Sequence, residues 1–434
     1  MKHRLLRAVA LMLMSTFLFS LVLASSGSGK IKLTFWHLFK ADPSGKEPRA
    51  YALWKSLDLF ERIYPDIKVQ QEQVPWGQIE RRLIPMAAVG ETPDVVHIFS
   101  IFLAQHVEAG TIAPLDEYVK NWNPSDWFLG WDPATIDGKI WGVPEEYRAV
   151  VLEYRADYLE EAGLDVPKTW HDVGIAAAKL TTETRRGFSI GASLKDFGDN
   201  LNELLAPVIW DAGGEVFDED FRLKYNNEAG LKVFKMLYDL MYKYHAIDET
   251  VIDDDYNTIH QALRAGTLAM GTLGFHRVGT IRKQGNFGEN FQFTPLPSFQ
   301  DGGLYGSGKP APAFIFNWFF SIGKYAKHPE AGMLLIQWMN DRVVKTEYAK
   351  AGLLPPRYSV YEDPWFRGDA TEVRDLVRLK DYIRDYGKPL IWPPWTTDYW
   401  KIVATETQKM WLKKQSPEET LNIIEKRYNE EVLR

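Results

Sequence analysis

From residue 30 onward, apolar and polar residues alternate: Ile31, Leu33 and Phe35 share one side of "KIKLTFWH". This period of two marks a half-buried strand, here ending in Trp36 and His37. The period then lengthens. Between Tyr51 and Tyr64, Leu53, Leu57, Phe60 and Ile63 recur at helical spacing, and Pro65 stops the run. "DIKVQQEQV" at 66–74 alternates again, and a helical stretch follows Trp76. "TPDVVHIFS" is a short apolar run that predicts a buried strand ending at Ser100. Strand, helix, strand, helix, strand predicts an α/β unit.

The pattern resumes with a strand at "AVVLEYR" and a helix capped by Thr169 and Asp172. In "NEAGLKVFKMLYDLMYKY", Leu231, Phe234, Tyr238 and Met241 are expected on one buried face. Three Gly/Pro breaks interrupt the elements: "GKIWGVPEEY" at 138–147, residues 295–312 ahead of the strand-like "AFIFNWFFSI", and "GLLPPR" at 352–357. Each reads as a crossover more than an element. Near the end, Ser416, Pro417 and Glu419 supply an N-cap, a first-turn proline and a capping box. The Leu421, Ile424 and Tyr428 stripe of that helix should pack on a lobe.

A chain of 434 residues has room for two or three domains, and 45 % apolar with 25 % charged residues excludes wholesale disorder. The first 24 residues read as a secretory signal peptide: basic Lys2, Arg4 and Arg7, an apolar run from Ala8 to Leu23, then small residues from Ala24. The run is too short for a membrane span. Removing those three basic residues takes the net charge from -7 to -10. With no basic block elsewhere, nucleic acid is not an expected partner. Cysteine is absent, which excludes disulfides, thiolate metal sites and a Cys-linked lipid anchor. The expected product is a soluble, exported, periplasmic protein, a monomer without cofactor or metal.

Several stretches, in their order, resemble one family: "LTFWH", "FERIYPDIKV", "AAVGETPDVV", "GKIWGVP", "VVLEYRADYLEEAGLDVPKTWHD", "IWDAGGE", "LRAGTLAMGTLGFHR", "TPLPSF", "FFSIGKYAKHPEAG" and "GLLPPR". They are similar to extracytoplasmic solute-binding proteins of ABC transporters, the carbohydrate-uptake, maltose-binding-protein-like type. The resemblance spans nearly the whole mature chain. It implies a type II periplasmic-binding-protein-like α/β fold: two lobes, joined by three crossovers, that close like a hinge. The lobes are expected at 30–143 plus 311–356 and at 144–310 plus 357–434. The implied partners are a carbohydrate ligand and an inner-membrane permease with its cytoplasmic ATPase. Two departures stand out: Tyr154-Arg155 replaces the family's Tyr-Asn, and Ile315, Phe316, Asn317 and Trp318 stand where a Gly-Gly pair is common.

A sugar presents flat C–H faces and a rim of hydroxyls, so aromatic planes and fork-shaped polar groups are the candidates. Trp36, Trp76, Trp210, Trp318, Trp392 and Trp395 fall in expected loops or strand ends, whereas Trp54, Trp338, Trp400 and Trp411 fall in helical patterns and read as core. Ligands in open α/β sheets sit beyond the carboxyl ends of strands, which adds His37 and Ser100. Glu145, Tyr147 and Arg148 follow the first crossover. Trp210-Asp211 and Gly274, Phe275 and His276 match the ligand-contacting segments of the resembled family. Arg148 and Arg277 could serve an acidic sugar. The alternatives are a secreted carbohydrate-active hydrolase using a carboxylate pair such as Glu145 and Asp211, or a receptor for a non-sugar or acidic-sugar solute. "GLYGSGKP" at 303–310 nearly spells a phosphate loop, but Pro310 stands where a hydroxyl must hold magnesium.

Overall fold

The computed structural model describes residues 30–299 and 309–433. The segment expected to be a signal peptide, most of the phosphate-loop look-alike and part of the expected second crossover lie outside those residues. The first unit is β1 (Ile31–His37), helix α1 (Pro48–Ile63), β2 (Ile67–Gln73) and β3 (Val95–Phe99), with β1 parallel to both β2 and β3. α1 ends one residue before the expected Tyr64, whose backbone N–H caps Phe60.

The main departure from the expected pattern is β4, Val143–Arg155, thirteen residues buried throughout. Residues 143–147, expected as a Gly/Pro crossover, are strand. Glu145, Glu146 and Arg148 hide the apolar alternation because Glu145 is hydrogen-bonded to buried imidazoles and Glu146 pairs with Arg148, so polarity there does not mean solvent. Downstream come helix α2 (Trp170–Leu180), β5 (Arg186–Ser189), helix α3 (Asp199–Asp211), helix α4 (Glu228–Tyr242), helix α5 (Tyr256–Ala265), β6 (Leu268–Gly274), β7 (Phe291–Thr294) and β8 (Ala313–Gly323). After these follow helices α6 (Arg342–Lys350), α7 (Thr396–Trp411) and α8 (Pro417–Arg427).

The main sheet runs β2-β1-β3-β8-β4-β6-β5, with β7 pairing β4. Its two halves are joined by the long antiparallel strands. Residues 143–149 of β4 pair β8, whereas 150–154 pair β6. β8 passes back to β3 through Trp318–Ile322. The α/β class expected from the sequence is the class observed.

Local signals performed well where they are short-range. Thr169 and Asp172 form the reciprocal box on α2, and Ser416 and Glu419 form that on α8. Leu421, Ile424 and Tyr428 are all buried, and α8 packs on α4 and α7. On α4 the buried face is Gly230, Val233, Phe234, Leu237, Leu240 and Met241; Leu231 and Tyr238 sit at its margin. That stripe is broader than the four-residue one expected, because α4 packs on both α3 and α8. Arg155, in place of the family's Asn, gives the following turn no side-chain cap; its guanidinium pairs with Asp157 and lies over the Tyr158 and Phe287 rings.

The second half is tightly packed where β5 meets α2. A Cβ on Gly187 would overlap the carbonyl of Ala177. Gly187→Ala is therefore expected to destabilise the fold by about 1–3 kcal/mol, since backbone must shift to admit the methyl. Chemical denaturation of the purified variant checks this; an unchanged midpoint would refute it.

Candidate functional site

The carboxyl ends of the parallel strands in both halves converge on one cleft of about 450 Å³. From the first half, residues just beyond β1 (Leu38, Phe39), β2 (Pro75, Trp76) and at the end of β3 (Phe99) form one wall. From the second half come His276 and Arg277 after β6, Asp196 in the turn before α3, Asp199 and Glu203 in the first turns of α3, and Tyr256 and Asn257 at the start of α5. Arg148 of β4, Phe316 and Trp318 of β8, and Trp400 of α7 line the floor and sides, with Arg49 and Gln73 completing the rim.

Trp318 sits in the middle of β8 and not at a strand end. The β4–β8 register shifts between Trp318 and Phe319. Such a bulge re-aims side chains, and here the indole lines the cleft. Beneath it lies a stack: the Trp318 and His97 rings are 4.3 Å apart, and His97 stacks on His37 at 4.2 Å. Glu145 ties the stack together, with Oε2 2.5 Å from His97 Nε2 and Oε1 3.4 Å from His37 Nε2. The Phe39 N–H donates to His37 Nδ1 at 3.0 Å, so Nε2 of that ring carries the proton and donates to Glu145. Lys345 of α6 donates to the Glu145 carbonyl at 2.6 Å. Burial lowers the His97 pKa to about 4 and that of Lys345 to about 8. Burial would raise the Glu145 pKa, but the two imidazoles outweigh it and hold the carboxyl well below its usual range.

Donor atoms of His37, His97 and Glu145 all lie within 4.8 Å of one another, a set of types that could ligate a metal. The arrangement is already satisfied as a hydrogen-bonded network, since each carboxylate oxygen receives one imidazole N–H. That network braces the floor under Trp318.

Of the sequence-expected site residues, Trp76, His276 and Trp318 line the cleft, as do Arg148 and Arg277, the two candidates for an acidic sugar. The others do different things. Trp36 is buried, with the Arg82 guanidinium 4.3 Å over its ring. His37 and Glu145 belong to the bracing network. Ser100 Oγ accepts the Asn317 N–H at 3.1 Å, fixing β8 beside Trp318. Tyr147 is buried against Phe128, and burial raises its pKa. Trp210, expected in a loop, lies in the last turn of α3, fully buried, with Lys388 4.7 Å over its ring. The Gly213-Gly214 pair points to a flexible turn, but the helix continues through Asp211, with Pro207 accommodated inside it. Asp211 accepts the Phe299 N–H at 2.9 Å. The Gly274 N–H donates to the Tyr256 hydroxyl at 2.6 Å, and a Cβ there would strike that hydroxyl. Phe275 packs on Phe293. Trp392 is buried edge-on to Trp400, and Trp395 donates to the Tyr428 hydroxyl at 3.0 Å.

Sequence reasoning missed Trp400, Asp199, Glu203 and Tyr256. Trp400 reads as helix core and is fully buried, but it also faces the cleft. Asp199 and Glu203 read as ordinary acids at a helix start. Gly198 in the left-handed region just before them was the available signal of a special turn. Several buried polar atoms at the cleft have no partner: Glu203 Oε2, His276 Nδ1, Arg277 Nε, Trp318 Nε1 and Trp400 Nε1. Burial, together with Arg148, Arg277 and Arg49, keeps the His276 pKa well below its usual value, so the ring is neutral.

Two half-sheets joined through continuous strands, with an aromatic and polar cleft between their carboxyl ends, define a two-lobed ligand-binding protein. The chain belongs to the bacterial extracellular solute-binding protein family, which matches residues 44–344. Among its relatives, the arabinooligosaccharide-binding protein of Halalkalibacterium halodurans is 23 % identical over 333 residues, covering 72 % of each chain. The maltotriose-binding protein of Pyrococcus abyssi is 22 % identical over 80 % of this chain and 70 % of its own. The maltose-bound MalE3 structure of T. maritima superposes with a TM-score of 0.76 at 22 % identity, covering 92 % of this chain and 99 % of that one. The fold is thus the MalE-like periplasmic-binding-protein fold.

Proposed function

We propose that this protein is the extracytoplasmic carbohydrate receptor of an ABC importer. It captures an oligosaccharide of two or more units between its lobes and presents the closed form to an inner-membrane permease powered by a cytoplasmic ATPase. The single observation that carries the reading is the cleft itself. Trp76, Trp318 and Trp400 offer planes for sugar faces, and the unpartnered Trp318, Trp400 and Arg277 N–H groups offer donors for hydroxyls. The names of the two relatives support an oligosaccharide over a single sugar. The lobes are residues 30–143 plus 311–356 and 144–310 plus 357–434, with β4 and β8 running between them. Ligand touching both walls stabilises the closed state by its differential affinity for closed over open.

The protein is read as a monomeric binder exported by its leader to the periplasm, with no bond made or broken. The carboxylate pair that a hydrolase would have used supports this. Glu145 is engaged by two imidazoles and Asp211 by the Phe299 N–H, and neither lines the cleft. The test is a thermal-shift screen of the mature chain against mono- and oligosaccharides. A ligand at a hundredfold excess over its Kd adds about 2.7 kcal/mol of stability. The expected result is a selective oligosaccharide hit with the sugar recovered intact. A sugar recovered cleaved, or no shift with any sugar, would overturn the reading.

A further inference from the structure

One wall of the cleft carries more acid than the protein neutralises. Asp199 and Glu203 stand four residues apart on α3 and so share a face, and Asp196 precedes them in the same wall. Among the described residues none of the three has an ion pair with a base. Asp199 is held only by the Asn200 N–H at 2.7 Å. Glu203 is 4 % exposed, and its Oε2 has no hydrogen-bond partner. Of the cleft's three arginines, two are engaged by other acids. Arg49 pairs with Glu47, and Arg148 pairs with Glu146. Arg277 alone is without an ion pair, its guanidinium 5.1 Å over the Tyr256 ring.

We propose that the ligand carries a protonated amine seated against Asp199 and Glu203, so that the carbohydrate taken up is an amino sugar with its nitrogen free and not acetylated. The inference rests on the carbohydrate reading above for the body of the ligand and adds its charge. An ammonium offers three N–H donors, enough to satisfy Glu203 Oε2 and the free valences of Asp199 together. It also stabilises the ionised form of both carboxyls, which burial and their proximity disfavour. Burial and the neighbouring Asp196 and Asp255 raise the Asp199 pKa to about 7, against the opposing pull of the Asn200 N–H and Arg277. Burial and Asp199 raise that of Glu203 well above its usual range, against Arg148. A sugar acid would add negative charge beside this wall, and a neutral sugar carries no charge to stabilise the ionised carboxyls that burial disfavours. The aromatic lining favours the same sign of charge, because ring faces attract cations. Trp318 and Trp400, both fully buried with free indole N–H groups, remain for the ligand's hydroxyls.

The experiment is calorimetric titration of the mature protein at neutral pH with matched probes: hexosamines and their disaccharides, the corresponding neutral sugars, the N-acetylated forms, and 1,4-diaminobutane. The amine-bearing member of at least one set is expected to bind about tenfold or more tighter than its neutral and acetylated counterparts, as for hydrogen bonds to a charged group. In Glu203→Gln and Asp199→Asn that preference should shrink to about twofold in proteins that still melt cooperatively. A panel in which no amine beats its counterparts overturns the proposal, including one in which nothing binds. So does a preference that persists in both folded variants. Neutral sugars bound while amines are ignored would remove the amine site and leave the sugar receptor standing. The diamine bound in the absence of any sugar, and lost in the variants, would support the ammonium site while overturning the carbohydrate reading.

Discussion

Trp318→Ala is expected to weaken sugar binding by about 1–3 kcal/mol, a drop of roughly five- to a hundredfold, as for the loss of one stacking partner. The indole is only 2 % exposed, lines the cleft, and packs on His97 and Phe99. The same substitution therefore opens a void at the junction of β3, β4 and β8, and should lower folding stability by about 3–5 kcal/mol. The two effects separate in Trp318→Phe, which keeps a ring for packing but offers a smaller plane to the sugar. Calorimetry with the best oligosaccharide from the screen, beside denaturant midpoints, reads both. Full affinity in a folded Trp318→Ala protein would remove the residue from the site.

His97→Gln should change the pH dependence of stability with a definite sign. The folded-state pKa of His97 is about 4 against an ordinary 6.5, so between those values the unfolded chain holds a proton that the folded chain does not. Its neutral form thus contributes stability that is fully present above about pH 6.5 and is lost as pH falls towards 4. Gln keeps an N–H for Glu145 yet cannot titrate. The stability of the natural protein relative to the variant should then rise with pH across that window, by up to about 3 kcal/mol, and stay flat above it. Glu203→Gln should show the opposite slope. A carboxyl whose pKa is raised in the fold contributes most below its unfolded value and loses that contribution as pH rises through the folded one. Using differences from the natural protein cancels the buried groups not coupled to the replaced residue; Glu145, which His97 holds down, titrates in its own lower range. Denaturation curves at several pH values measure both, and parallel pH profiles for His97→Gln and the natural protein would contradict the first.

Much of the architecture is written in short-range patterns. The alternation of Ile31, Leu33 and Phe35, the stop at Pro65, and the boxes at Thr169 and Ser416 each involve neighbours within a few residues. Their outcome depends little on what the rest of the chain does. The order of segments carried the family and hence the fold. Strand ends carried part of the site as well: Trp76 and His276 lie beyond β2 and β6, where an open α/β sheet puts its ligand.

The remainder was decided by packing over long separations. Glu145 looks like a surface acid until β1 and β3 bring His37 and His97 to it, and burial then turns it into the brace of the cleft floor. Asp199 and Glu203 look like a solvated helix start until Tyr256, Arg148 and His276 are brought opposite them in the cleft and Glu203 is buried. Trp400 is indistinguishable from Trp411 along the helix that carries both, and only the placement of α7 makes one a wall of the cleft and the other core. Sequence by itself determined the α/β class, the short-range caps and the family, but not the start of β4 or the end of α3. Tertiary structure alone decided which polar and aromatic residues became the site, because hydropathy along the chain reports average exposure, whereas a binding cleft is built from buried polar groups whose partners are distant in sequence.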